Sequence, residues 1–195
     1  MRIRDDKKRQ QILACAAKRF ATQPFHKVKL EEIASNAGVG KGTLYIYFDS
    51  KEDLYFSIIY GGFAALVERL KDELSEPVGV PTRQRLRVIV EELVGFAFRH
   101  PAMFELMRSI GPPSLGRPEW AVKRRELNDL LVQTLRDGVS RGEFADAHPE
   151  LTALFIPGLV RSAMLFGPKG LERQVLVDHI LNLLETGICR EVLAP

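Results

Sequence analysis

The chain has 195 residues, 28 Lys and Arg against 25 Asp and Glu for a net charge of +3, and 46% of its residues are hydrophobic. With only 11 Pro and 15 Gly, this composition describes a globular protein and excludes a disordered or collagen-like chain. No run approaches the roughly 18 to 20 uninterrupted apolar residues of a membrane span, and the opening MRIRDDKKRQ lacks an apolar signal stretch, so a cytoplasmic location is expected.

Cys15 and Cys189 stand far apart, with no partner Cys or His at metal-ligand spacing, which argues against a zinc site, a disulfide framework or a CxxC redox motif. His26, His100, His148 and His179 fall on different elements, and no HExxH, GxSxG or phosphate-cradling Gly loop occurs. No enzyme activity, metal or cofactor is therefore expected. The charge is uneven: residues 1–48 carry 10 basic and 4 acidic side chains, whereas the remainder is net −3. A basic head on a mildly acidic body suits a polyanion-binding module joined to a domain of another kind. The expected boundaries are 1–48 and 49–195.

Apolar residues recur with helical rather than alternating period throughout, predicting an all-α fold of about nine helices. The first helix, Asp6 to Ala21, puts Ile12, Leu13, Ala16, Ala17 and Phe20 on one stripe and stops before Pro24. The second, Leu30 to Ala37, ends at Gly38, which suits a left-handed turn. The third spans Lys41 to Phe48. Ser50, with an acidic residue three positions on, caps a fourth running to about Leu74. Further helices are expected at Thr82–His100, Ala102–Ile110, Glu119–Arg141, Glu150–Phe166 and Leu171–Cys189, punctuated by Pro101, Gly111-Pro112-Pro113, Gly142, Pro149 and Gly167-Pro168. Pro157-Gly158 should kink or unwind the eighth.

Two short helices joined by a tight glycine-containing turn match the unit that sets a recognition helix in the major groove. Ile33, Leu44 and Phe48 can pack inward, leaving Lys41, Gly42, Thr43, Tyr45 and Tyr47 largely outward. Their ammonium and hydroxyl groups suit phosphate oxygens and base edges, and Gly42 allows close backbone approach. Lys51, just beyond, combines a cation with a helix N-terminus. Arg2, Arg4, Lys7, Lys8 and Arg9 form a basic N-terminal arm.

On these residues the stretch from Gln11 to Leu54, and above all IASNAGVGKGTLYIYFDSKEDL, resembles the N-terminal domain of the TetR family of one-component transcriptional regulators. The resemblance implies a homodimer reading a palindromic double-stranded DNA operator, with a helical C-terminal domain for ligand binding and dimerisation. It makes Lys41, Gly42 and Thr43 candidates for base-edge contacts and Tyr45, Tyr47 and Lys51 candidates for gripping phosphates. Lys29 departs from the family's usual Thr or Ser cap, which places a charged side chain where it can reach a phosphate. Pro24 departs from a common Gly.

In the C-terminal region Phe63, Phe96, Met103, Met107, Trp120, Asn128, Phe155 and Arg161 are the candidates for an effector pocket. Apolar residues of this kind fill a core as readily as they line a pocket, but flexible Met beside a large aromatic suits an adaptable cavity. His100 at a helix end is expected to act as a protonated cap. Leu151, Leu154, Phe155, Leu159 and Leu165, with Leu176, Ile180, Leu183, Leu184 and Ile188, form wide apolar faces fit for a four-helix dimer interface. The expectation is a homodimeric repressor released from its operator by a hydrophobic or amphipathic small molecule. The alternative is an architectural or cell-division control protein of the same fold that senses no effector.

Overall fold

The computed structural model describes residues 6–74, 79–110 and 118–188. Among them are nine α-helices: α1 (Asp6–Thr22), α2 (Leu30–Asn36), α3 (Lys41–Tyr47), α4 (Lys51–Leu74), α5 (Thr82–Arg99), α6 (Pro101–Ile110), α7 (Pro118–Ser140), α8 (Pro149–Phe166) and α9 (Arg173–Ile188), with a short 3-10 turn at Phe25–Lys27. The all-α expectation holds, and helix ends fall close to the Pro and Gly punctuation. Arg2, Arg4, the Gly111-Pro112-Pro113 stretch and Cys189 lie outside the described residues.

The chain divides into two compact units at Gly62/Phe63, inside α4. In the first, Ile12 and Ala16 of α1, Ile33 of α2, Leu44 of α3, Phe48 and Leu54 are all but inaccessible to solvent, and Leu13, Phe20 and Val39 pack against them. Burying each large side chain contributes about 1.5–3 kcal/mol. Phe20, Phe25 and Tyr55 form a ring cluster with centroids 4.9–5.6 Å apart. Gly38 takes φ +62°, and the Val39 N–H reaches back to the Ala34 carbonyl, so the α2–α3 turn needs a residue tolerant of the left-handed region. Two bonds cap α4: Ser50 Oγ accepts from the Asp53 N–H at 3.0 Å, and the Asp53 carboxylate accepts from the N–H of Asp49, one residue before the cap, at 2.9 Å.

In the second unit α5 is central and packs against α7, α8 and α9. Leu86, Ile89, Val90, Leu93, Val94 and Phe96 are buried round most of its circumference. Its N-terminus has no local side-chain cap. Instead Glu143, beyond the end of α7, accepts from the Thr82 N–H at 2.8 Å and the Thr82 hydroxyl at 3.0 Å. Lys71 and Lys123 each pair with both Glu68 and Glu126, joining the end of α4 to α7 on the surface. These contacts hold both carboxyls below their ordinary range.

The local unwinding of α8 allowed for at Pro157-Gly158 does not occur. The helix runs unbroken through Pro157-Gly158; Pro157 lacks an N–H, so the Ala153 carbonyl goes without its helical donor but the turn persists. By length and composition α8 is also apolar enough to cross a membrane, although Glu150 and Arg161 interrupt it and it packs against α5, α6, α7 and α9.

Candidate nucleic-acid interface and ligand cavity

The α3 helix presents one face outward because Leu44 is sunk in the core and Gly42 and Ile46, two residues to either side, lie roughly opposite it. Lys41, Gly42 and Tyr45 are exposed, Thr43 and Tyr47 are half-buried, and a side chain built on Gly42 would meet open space. Tyr47 also packs against the core. Lys29 is exposed at the head of α2, where it makes no side-chain cap. Lys41 pairs across the turn with Glu31 of α2 at 2.5 Å. That contact lowers the Glu31 pKa and raises that of Lys41.

Lys51, expected to grip a phosphate beside the α4 N-terminus, also makes contacts within the first unit. Its ammonium donates to the carbonyls of Phe25 at 3.1 Å and Val28 at 3.3 Å, and lies 4.5 Å from the centre of the Phe25 ring. It ties the first turn of α4 to the segment before α2. An ammonium has three N–H groups, so these two hydrogen bonds leave one further donor. Of the basic arm, Lys7 and Lys8 are exposed on α1, and the Arg9 guanidinium lies over the Phe48 ring. Cys15 is partly buried and donates to the Asn36 carbonyl through sulfur at 3.4 Å.

The second unit contains a cavity of about 480 Å³, a size suited to a small organic molecule. Seven of the eight pocket candidates line it: Phe63, Phe96, Met103, Met107, Trp120, Asn128 and Arg161. Phe63 stacks on Trp120 and meets Phe96, both at 5.7 Å between centroids, which makes an aromatic wall. Phe155 is the exception. Leu154, Pro157, Gly158 and Arg161 form the α8 stripe facing the cavity, and Phe155, rotated by about 100° from Leu154, is 61% exposed.

Sequence reasoning missed Arg124 and Arg125, which also line the cavity. The spacing Trp120, Arg124, Asn128 was the available signal, since residues four apart share a helix face. His100 is half-buried, with its ring 4.7 Å from Phe96. Burial, and after it the neighbouring Arg99, push its pKa down, which works against the protonated form expected of a cap, although His100 does sit at the C-cap position of α5.

The apolar faces of α8 and α9 expected to pair in a dimer are distributed differently from that expectation. Leu176, Ile180 and Leu184 are buried within the second unit, whereas Leu151, Leu154, Phe155 and Phe166 of α8 and Val175 and Leu183 of α9 are exposed. The side chain of Ile188 lies outside the described residues.

A helix-turn-helix with its recognition helix outward, joined to a helical unit that contains a largely apolar cavity open to solvent, defines a DNA-binding transcription regulator. The profile of bacterial regulatory proteins of the tetR family matches residues 12–58, and that of the tetracyclin repressor-like C-terminal domain matches residues 79–188. The chain belongs to the TetR family.

The transcriptional activator FasR of Mycolicibacterium smegmatis is 28% identical over 75% of this chain and 65% of its own length, so this chain spans just under two thirds of that relative. A TetR/AcrR regulator from Thermobifida fusca superposes with a TM-score of 0.74 at 26% identity, covering 94% of this chain and 98% of that one. FadR of Bacillus subtilis, solved with stearoyl-CoA, shares the fold with a TM-score of 0.66 at 20% identity, covering 91% and 98%.

Proposed function

We propose that the protein is a cytoplasmic, homodimeric repressor that binds a palindromic operator and leaves it when a hydrophobic or amphipathic molecule enters the cavity. The observation that carries this reading is the apolar cavity walled in part by Phe63, because Phe63 belongs to the same helix, α4, whose first turn is tied by Lys51 to the segment before α2. Residues 1–48 form the DNA-reading head and 49–195 the effector-binding and dimerising part. Lys41, Gly42 and Thr43 meet base edges, while Lys29, Tyr45, Tyr47 and Lys51 hold phosphates. Lys41 leaves Glu31 to do so.

The exposed Leu151, Phe155, Phe166, Val175 and Leu183 make the dimer surface with their symmetry mates. A ligand that alters the course of α4 changes the separation of the two heads, and affinity falls because both can no longer dock at once. The stearoyl-CoA in the fold neighbour FadR supports an amphipathic effector.

Selection of sheared genomic DNA by the full-length protein at near-physiological salt, with competitor present, tests this. The expected result is a few fragments sharing an inverted repeat, lost on Tyr47→Ala, beside genes whose transcription rises when the regulator is deleted. Falling transcription makes it an activator, as FasR is named, and overturns repression. Retention of many dispersed sites overturns the local-regulator reading in favour of an architectural protein.

A further inference from the structure

The cavity lining carries a second piece of information, its charge. Arg124 and Arg125 of α7 and Arg161 of α8 all line it, and no Asp or Glu does so among the described residues. This is not an overflow of general basicity, because residues 49–195 are net −3. All three arginines are exposed side chains, whereas Phe63, Phe96, Met103 and Trp120 are buried. The cavity is thus graded, from an apolar aromatic interior to a cationic edge at solvent.

Asn128 adds a polar group within it: its side-chain oxygen is buried and has no hydrogen-bond partner among the described residues. A buried carboxamide ordinarily finds one, and by turning it can either accept from a ligand or donate to it. From these features, and resting on the reading of the cavity as an effector site, we infer that the effector is an anionic amphiphile. An alkyl or aryl body lies against the aromatic wall, and a carboxylate or phosphate head sits among Arg124, Arg125 and Arg161.

Guanidinium groups bind such heads through paired N–H donors. The competing chemistry is a quaternary ammonium, which aromatic faces can hold. Here the Phe63 and Trp120 rings each turn a face to the other, being stacked within 17° of parallel, and the positive charge of Arg125 and Arg161 at the edge repels another cation.

Trp120 is the chain's single tryptophan, so its fluorescence reports on this cavity alone. The full-length protein is titrated below micellar concentrations with four probes that share one alkyl chain: decanoate, decyl phosphate, decanol and decyltrimethylammonium. At least one anion is expected to bind about tenfold or more tightly than decanol, the gain typical of charge-assisted hydrogen bonds, with the cation weakest. The tighter anion identifies the head as carboxylate or phosphate.

Arg125→Gln combined with Arg161→Gln should erase the anion's advantage while decanol binds as before, which also shows that the variant is folded. Equal binding of all four probes, or tightest binding of the ammonium, overturns the anionic effector and leaves the cavity as a ligand site. If no probe perturbs Trp120, the ligand-site reading falls, and this inference with it.

Discussion

The Lys51 ammonium donates to the Phe25 carbonyl at 3.1 Å while lying 4.5 Å from the centre of the same residue's ring. One residue thus receives both a charged hydrogen bond and a cation–π contact, and the Val28 carbonyl takes a second hydrogen bond. The entrance to α2, left without a hydroxyl cap by Lys29, is held from the outside by α4.

Lys51→Met keeps the apolar stem and removes these bonds. It should lower the stability of the first unit by about 1.5–3 kcal/mol, the usual worth of hydrogen bonds from a charged group, as read by urea denaturation. If the remaining N–H serves a phosphate, the slope of log affinity against log salt also falls by about one. Lost stability with an unchanged slope would assign Lys51 to holding the head together and would remove it from the DNA contacts.

Glu143 is the corresponding tie in the second unit. Its carboxylate accepts from the Thr82 N–H and hydroxyl, and Thr82 is fully buried, so removing the acceptor strands two donors away from water. Glu143→Ala should cost about 1–3 kcal/mol. Glu143→Gln should restore part of this, because the amide oxygen still accepts one bond but brings no negative charge to the start of α5. Equal thermal midpoints for wild type and Glu143→Ala would show that the cap contributes nothing.

What could be read from the chain and what could not divide along these same residues. Helix boundaries were legible because Pro24, Gly38, Ser50, Pro101, Gly142 and Pro149 act through local backbone geometry. The Glu143–Thr82 cap was not, since the partners are 61 positions apart and only the tertiary fold brings them together. Helical phase was the other gap. In α8 and α9, where apolar residues occur on nearly every side, a shift of one residue turns a side chain by about 100°. That shift separates Phe155, outside the cavity lining, from Leu154 within it, and buried Leu176, Ile180 and Leu184 from exposed Val175 and Leu183. Of the DNA-binding candidates, Lys51 is the one whose surroundings differed most, because the carbonyls it reaches carry no signature in side-chain type.

His100 gives a pH dependence whose sign follows from its surroundings. Burial, with the positive charge of Arg99 adding to it, places its folded pKa below the ordinary 6.5. Between the two values the unfolded chain binds more protons than the folded one, so stability falls as pH drops through that interval and is fully retained above 6.5. The carboxyls of Glu31, Glu68, Glu126 and Glu150 are depressed below their ordinary 4.5, so their contribution is lost only in more acidic solution. Urea midpoints at several pH values between about 5 and 7 should decline toward acid for wild type and stay flatter for His100→Gln. Parallel curves would mean that His100 titrates alike in both states.

Gly61 tests whether α4 carries the signal between cavity and head. It is exposed within an unbroken helix, and a side chain built on it would meet nothing within 4 Å. Gly61→Ala therefore adds no clash and should raise helix stability by about 1 kcal/mol. If effector binding acts by bending α4 near this point, a stiffer helix resists the change. The variant should bind operator as wild type does, bind the effector at the cavity as wild type does by Trp120 fluorescence, and yet need more effector to release DNA. A release curve identical to that of wild type, at matched cavity occupancy, would mean that the signal reaches the head by some route other than flexure at Gly61.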